Sequence, residues 1–216
     1  MRLHALWILA LAAAAACLLP LRSQNPAAAP YPTEEDAVRR GLEIGIGEAT
    51  LDGPAEVAVD SLADLKLRYV AGAAGLATGG GIRIATGHGM GTDWGGNRLQ
   101  STDPGGENYL AIPGGFEWIS HQGVAKNPLF AKYHPWQNIN EFRRTGAAVR
   151  PGEAIEIALG RVRIQRWDET AFTLKFYVDA RGDGRYLPLE RNPRMRVVAG
   201  DADELNVVVP SQAETG

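Results

Sequence analysis

Residues 171–178 read Ala171-Phe172-Thr173-Leu174-Lys175-Phe176-Tyr177-Val178, with Phe172, Leu174, Phe176 and Val178 on one parity and Thr173, Lys175 and Tyr177 on the other. Side chains alternate across a β-strand, so this pattern predicts a half-buried strand with one dry face and one wet face. The same alternation recurs at Leu65, Leu67 and Tyr69 against Lys66 and Arg68, and at Ile155, Ile157 and Leu159 against Glu156. Working outward, short apolar runs separated by Gly, Pro, Asp and Asn predict strands near 46–51, 56–59, 64–71, 81–85, 108–112, 116–120, 138–143, 154–159, 171–178, 185–189, 195–198 and 204–209. No alternation of strands with amphipathic helices is visible, which argues against a parallel sheet. The expected fold is all-β, an antiparallel β-sandwich of immunoglobulin or jelly-roll kind.

Two connections are readable. Asp179-Ala180-Arg181-Gly182-Asp183-Gly184 predicts a tight hairpin with glycines at positive φ, and Arg150-Pro151-Gly152-Glu153 a proline–glycine turn entering a strand. Thr33-Glu34-Glu35-Asp36, a capping hydroxyl before three acids, predicts one short helix through Ala37, Val38 and about Leu42. A helix that short must dock or fray.

The chain has 216 residues and 45% hydrophobic content, enough for one domain with a real core. A formal charge of −3 gives no electrostatic footprint for nucleic acid. Residues 5–21 are uncharged and rich in Leu, Ile and Ala, after a basic start at Arg2 and before Arg22. That is the order of a secretory leader, cleaved or retained as a membrane anchor. The chain therefore divides into a leader (1–24), a linker with the short helix (25–43), the β-sandwich (44–211) and a tail (212–216). Its expected location is periplasmic or extracellular, with membrane contact only through residues 5–21 where they are retained. The one cysteine, Cys17, lies inside the leader, so the exported part has no thiol for a disulfide or for catalysis. Ala14-Ala15-Ala16-Cys17 resembles a lipoprotein box but lacks its usual leucine.

The chemistry-bearing residues gather on a long glycine-rich loop between 84 and 109, which carries His88, Asp93, Trp94, Asp103 and Glu107. Loops of that length inside compact domains are functional or disordered. The exported histidines, His88, His121 and His134, match no metal-ligand spacing. Asp93, Asp103 and Glu107 allow a carboxylate pair for glycosidic acid–base work, although carboxylates in loops ordinarily cap turns. Asp179 and Asp183 offer too few oxygens for a helix–loop–helix calcium site. Aromatic rings are the stronger candidates, because sugar rings and peptide side chains use them as platforms. The candidate binding residues are Asp93, Trp94, Asn108, Tyr109 and Trp136, with no catalytic residue, metal ligand or cofactor assigned. The enzyme alternative is a small envelope hydrolase using Asp93, His88 and His134.

Three segments together resemble the amino-terminal module of a bacterial family, the domain-of-unknown-function family thirty-six-oh-four. They run from Leu67-Arg68-Tyr69-Val70 to Gly81-Ile82-Arg83-Ile84; from Asp93-Trp94-Gly95 through Gln100, Asp103-Pro104 and Asn108-Tyr109; and from Ile164-Gln165 through Glu169-Thr170-Ala171-Phe172 and Val178-Asp179 to Gly184-Arg185-Tyr186. Pro210-Ser211 fits as well. The resemblance implies a β-sandwich module followed, in that family, by further β structure and a metal-dependent hydrolase-like domain. The metal ligands of the later domain have no counterpart here. Two departures stand out: Gly160-Arg161-Val162-Arg163 replaces a longer loop, and Gly87-His88-Gly89-Met90-Gly91 is an insertion. The implied role is an exported, non-catalytic recognition module. It would be the front part or a shortened relative of a larger secreted hydrolase-like protein, with a downstream catalytic domain, an envelope protein or a glycan as partner.

Overall fold

A computed structural model describes residues 33–86, 99–122, 138–165 and 169–200. Its elements are α1 (Glu34–Ile44), β1 (Gly47–Asp52), β2 (Glu56–Ala58), β3 (Leu62–Ala71), β4 (Gly81–Thr86), β5 (Tyr109–Ala111) and β6 (Phe116–Gln122). There follow β7 (Asn138–Arg144), β8 (Ala154–Arg163), β9 (Glu169–Thr173), β10 (Lys175–Asp179), β11 (Leu187–Pro188) and β12 (Arg194–Val198). The predicted strand at 204–209, the leader and the tail lie outside the described residues. No helix among the described residues is long and apolar enough to cross a membrane.

The strands form a four-stranded sheet in the order β1-β3-β8-β5 and a five-stranded sheet in the order β11-β10-β4-β7-β6. A three-stranded sheet, β2-β12-β9, completes the set. Every pairing is antiparallel except β2 with β12. The alternation seen in the sequence builds the core. Leu65, Leu67 and Tyr69 lie opposite Leu159, Ile157 and Ile155 in the first sheet. In the second, Ile82 and Ile84 lie beside Val178 and Phe176, with Phe142 against Ile82. All of them, with Val57, Phe172, Met195 and Val197 of the third sheet, join one apolar cluster. The molecule is thus the expected antiparallel β-sandwich. Each large aliphatic side chain buried in this way contributes about 1.5–3 kcal/mol.

Helix α1 packs against β11 and places Ala37 in the core. Thr33 caps it, its hydroxyl accepting from the Asp36 amide at 3.1 Å, and Gly45 ends it at φ 73° with its N–H on the Gly41 and Leu42 carbonyls. Ala37 and Gly41 are the buried contacts. A methyl at Gly41 would come within 2.8 Å of Ile46 Cδ1 and 3.3 Å of the Pro188 carbonyl oxygen, so a larger residue there would have to push the Ile46 side chain aside. The Tyr69 hydroxyl donates to the Ile46 carbonyl and ties the same corner to the first sheet.

The predicted strand at 171–178 is two strands. β9 pairs with β12, whereas β10 pairs with β4 and β11, and the chain changes sheets at Leu174, whose N–H donates to the Pro193 carbonyl. The apolar parity survives because Leu174 stays fully buried through the switch. Tyr177, read as facing water, is 1% exposed. It sits on the outward face of the five-stranded sheet in a small second cluster with Ala85 and Ile139. The predicted strand at 185–189 shortens to Leu187–Pro188, because the 179–186 turn holds Arg185 and Tyr186.

Candidate functional site

Asp93, Trp94, Trp136, His88 and His134 lie outside the described residues. The strand ends that flank them are described, and their register is informative. Thr86 pairs with Asn138, and Asn138 with Gln122. Thr86, Gln122 and Asn138 therefore lie at one end of the five-stranded sheet.

Asn108 and Tyr109 belong to a corner of the four-stranded sheet. Gln100 organises the turn that enters it. Its carbonyl oxygen accepts from the Thr102 and Asp103 amides at 2.8 Å, and its amide donates to the Asp103 carbonyl at 2.8 Å. Asp103 accepts from the Gly105 amide, and Glu107 takes the Arg163 guanidinium at 2.7 and 3.1 Å. That charge-assisted pair holds the Glu107 carboxyl below the usual glutamate range. Two of the three loop carboxylates considered for acid–base work thus serve the turn.

The same corner contains every non-glycine residue with positive φ among the described residues: Asp60 at 54°, Asn108 at 59° and Arg161 at 48°. They converge on one strand end. The Arg163 amide donates to Asn108 Oδ1 at 2.9 Å, its guanidinium donates to the Asp60 carbonyl at 3.0 Å, and the Asn108 amide donates to the Arg161 carbonyl at 3.0 Å. Asn108 is 4% exposed, so its side chain positions the strand ends from inside. Arg161 occupies a bulge, where the register of β3 against β8 shifts between Ala63 and Leu65. The Asp64 carboxylate caps that bulge, accepting from the Arg161 amide at 2.8 Å.

Tyr109 is half-buried and lies against Gly160, where a side chain would meet its Cβ and ring at 3.7 Å. Among the described residues, its hydroxyl, the Arg161 guanidinium and the second Asp64 oxygen make no hydrogen bond or ion pair. Arg161 and Asp64 are exposed. Tyr109 and the Asp64 carboxylate thus both lie beside Gly160, next in sequence to Arg161.

A second polar cluster, which the sequence reading did not single out, occupies the outward face of the five-stranded sheet. Glu141 is 1% exposed. One oxygen accepts from Arg83 at 2.9 Å and from His121 Nε2 at 2.8 Å. The other accepts from Arg143 at 2.9 Å and from the Tyr186 hydroxyl at 3.2 Å. Because a carboxylate only accepts, His121 Nε2 carries the proton in this contact. Burial disfavours the charge on Glu141, but the bonds from His121, Arg83 and Arg143 outweigh it and hold the carboxyl at about 2. Arg83 stacks on Tyr186 at 3.7 Å from the ring centroid, and burial pushes the Tyr186 phenol well above its ordinary value. Gly81 makes room for this ring, since a side chain there would lie 2.6 Å from the Tyr186 hydroxyl.

Asp179 is likewise closed to ligands. Its two oxygens accept the Arg181, Gly182, Asp183 and Gly184 amides at 2.8–3.3 Å, with Gly182 and Gly184 at φ 72° and 80°. Burial raises its pKa in spite of those bonds. Trp118 packs against the core and donates to Asn140 at 3.1 Å. Among the described residues no three His, Cys, Asp or Glu side chains gather as a metal site.

No family model matches the chain, and no curated protein matches it. Among solved structures it is similar to a cohesin module of a family 33 glycoside hydrolase from Clostridium perfringens. The TM-score is 0.42 at 12% identity, covering 72% of this chain and 99% of that one.

Proposed function

We propose that this chain is an exported, non-catalytic β-sandwich recognition module, the front part or a shortened relative of a larger secreted hydrolase-like protein. One observation carries the reading. The buried carboxylates Glu141 and Asp179 are saturated by donors of the fold, whereas Arg161 and Asp64 are exposed on neighbouring strands at the corner where Tyr109 lies, and among the described residues their side chains and the Tyr109 hydroxyl make no hydrogen bond beyond the one from the Arg161 amide to Asp64. The leader at residues 5–21 supports export, and the resemblance of the segments around Leu67, Asn108 and Val178 supports a module that precedes a catalytic domain. Contact uses the Asn108–Tyr109 corner together with Asp93, Trp94 and Trp136.

The test is retention of the purified chain on envelope glycan and envelope protein fractions, with Tyr109→Ala and Trp94→Ala beside the wild type. Retention that falls in either variant while its melting temperature holds supports recognition. Equal retention of all three proteins rejects this surface. The hydrolase alternative predicts bound metal by elemental analysis and turnover that disappears in Asp93→Asn.

A further inference from the structure

We infer that β1 is a docking edge for an extended, basic segment of a partner protein, which adds to the four-stranded sheet as a further strand. β1 is an outer strand of that sheet and pairs with β3 over six residues without a register shift. It lies at the opposite edge from β5 and the Asn108–Tyr109 corner. The direction of its open backbone groups follows from β3. Ala71 directs both of its backbone bonds to the β8 side, its N–H to the Glu153 carbonyl at 3.0 Å and its carbonyl to the Gly152 N–H at 2.8 Å. Successive residues of a strand point these groups to opposite sides, so Val70, Arg68 and Lys66 bond Glu48, Thr50 and Asp52 across the ladder. Ala49 and Leu51 are left with N–H and C=O groups aimed away from β3, and no other described segment bonds them. Their side chains pack against the core opposite Tyr69 and Leu67, yet stay half-buried where those two are 0% and 1% exposed. One more strand would complete both the ladder and the burial.

Space for that strand is already formed. A groove of about 420 Å³ is lined by residues 47–50 of β1, by Gly41, Leu42 and Gly45 at the end of α1, and by residues 188–191. Leu42 is 57% exposed and gives the groove an apolar wall for a side chain of the added strand. An edge strand beside a helix takes up a peptide in this way, main-chain bonds supplying affinity and alternate side chains specificity. Sheet edges are ordinarily blunted by proline, lysine, a bulge or shortness. β11, on the same groove, is two residues long and carries Pro188, whereas β1 has none of these devices. Charge selects the partner. The two charged residues of β1 are both acids, Glu48 and Asp52, and the groove lining adds Glu190 with a single base, Arg191. Behind the edge, Lys66 and Arg68 of β3 stand beside Glu156 of β8, which takes Lys66 at 3.6 Å. A second copy pairing antiparallel about Thr50 would set Glu48 against Asp52, and like charges directly opposite are destabilising. A strand that alternates apolar residues with lysine or arginine meets attraction instead.

The experiment titrates the full chain with an eight-residue peptide alternating lysine and valine and with its glutamate–valine counterpart. Two further forms of the lysine peptide are N-methylated, one at every lysine and one at every valine. Calorimetry gives affinity, and hydrogen exchange reads the amides of Ala49 and Leu51. The expected result is binding of the lysine–valine peptide with new protection at both amides, and loss of binding in one of the two N-methylated forms. Binding should weaken about tenfold in Ala49→Pro, which removes one outward amide, and in Leu42→Ala, which removes the apolar wall. Because Leu42 is exposed, Leu42→Ala reports on the groove even where proline at position 49 weakens the fold. Glu48→Lys should weaken the lysine peptide and admit the glutamate one, while Tyr109→Ala binds as wild type. Absence of lysine-peptide binding overturns the inference, as does equal binding of the parent and both N-methylated forms. A glutamate peptide bound as tightly as the lysine peptide overturns the basic class. A sedimentation mass of two chains that falls to one in Ala49→Pro assigns the edge to a second copy and overturns the partner.

Discussion

Glu141 and Arg161 are both charged residues on strands of the same sandwich, and their surroundings are opposite. Glu141 lies in the middle of the five-stranded sheet, 1% exposed, with two arginines, a histidine and a tyrosine donating to it. Arg161 lies at a bulge near the end of the four-stranded sheet, exposed, and among the described residues its guanidinium makes no hydrogen bond, only a through-space attraction to Glu107. A saturated buried network rigidifies a fold and leaves nothing for a ligand. An unsaturated exposed one adds little to stability and is available for contact. Perturbed ionisation alone would have pointed to Glu141, whereas hydrogen-bond accounting points to Arg161.

The largest effect that tests this contrast is removal of the Glu141 carboxylate. Glu141→Ala removes the buried acceptor shared by Arg83, Arg143, His121 and Tyr186 and should cost about 3–5 kcal/mol in urea unfolding. The same measurement on Arg161→Ala should move by about 0.5 kcal/mol or less. Comparable losses at the two sites would erase the distinction between them.

Acid offers the next measure. The folded carboxyl of Glu141 sits at about 2, below its unfolded value of 4.5. Its contribution is therefore complete above pH 4.5 and is lost as pH falls through 2. A shift of that size corresponds to about 3 kcal/mol. Urea midpoints of the wild type should fall across that window more steeply than those of Glu141→Gln. Parallel slopes would show that the carboxylate is not held by its donors.

Gly81→Ala should be destabilising by about 1–3 kcal/mol, because the added methyl meets the Tyr186 hydroxyl at 2.6 Å and the Phe142 carbonyl oxygen at 2.9 Å. A melting temperature equal to wild type would mean that Tyr186 reaches Glu141 without needing that gap. Asn108→Ala, which removes the acceptor for the Arg163 amide and places alanine at φ 59°, should cost about 1–2 kcal/mol. The smallest effect belongs to Arg161→Gly, a gain of up to about 1 kcal/mol in thermal unfolding as the left-handed strain disappears.

Much of the architecture was legible in local pattern. The alternation at Leu65-Leu67-Tyr69 and at Ile155-Ile157-Leu159 identified two strands that pair in register, and Thr33 before three acids marked the start of α1. The split of the 171–178 run was not legible, because Leu174 keeps the parity of its neighbours while the chain passes from β12 to β4 as pairing partner. At the candidate site the sequence offers Tyr109 as a binding residue, and Arg161 only as part of a shortened loop. The grouping of Glu141 with Arg83, His121 and Tyr186 had one faint signal, a charged residue flanked by Ile139 and Arg143 on a single parity of β7. Nothing in that spacing says that the outward position is dry.

The sequence by itself determined which side of each strand is apolar, where the chain turns and where α1 begins, because these depend on residues within a few positions of one another. Only the tertiary structure decided which charges are satisfied and which are offered. Whether an outward carboxylate meets water or four donors depends on segments distant along the chain, such as Arg83, His121 and Tyr186 around Glu141, which folding brings within 3.2 Å.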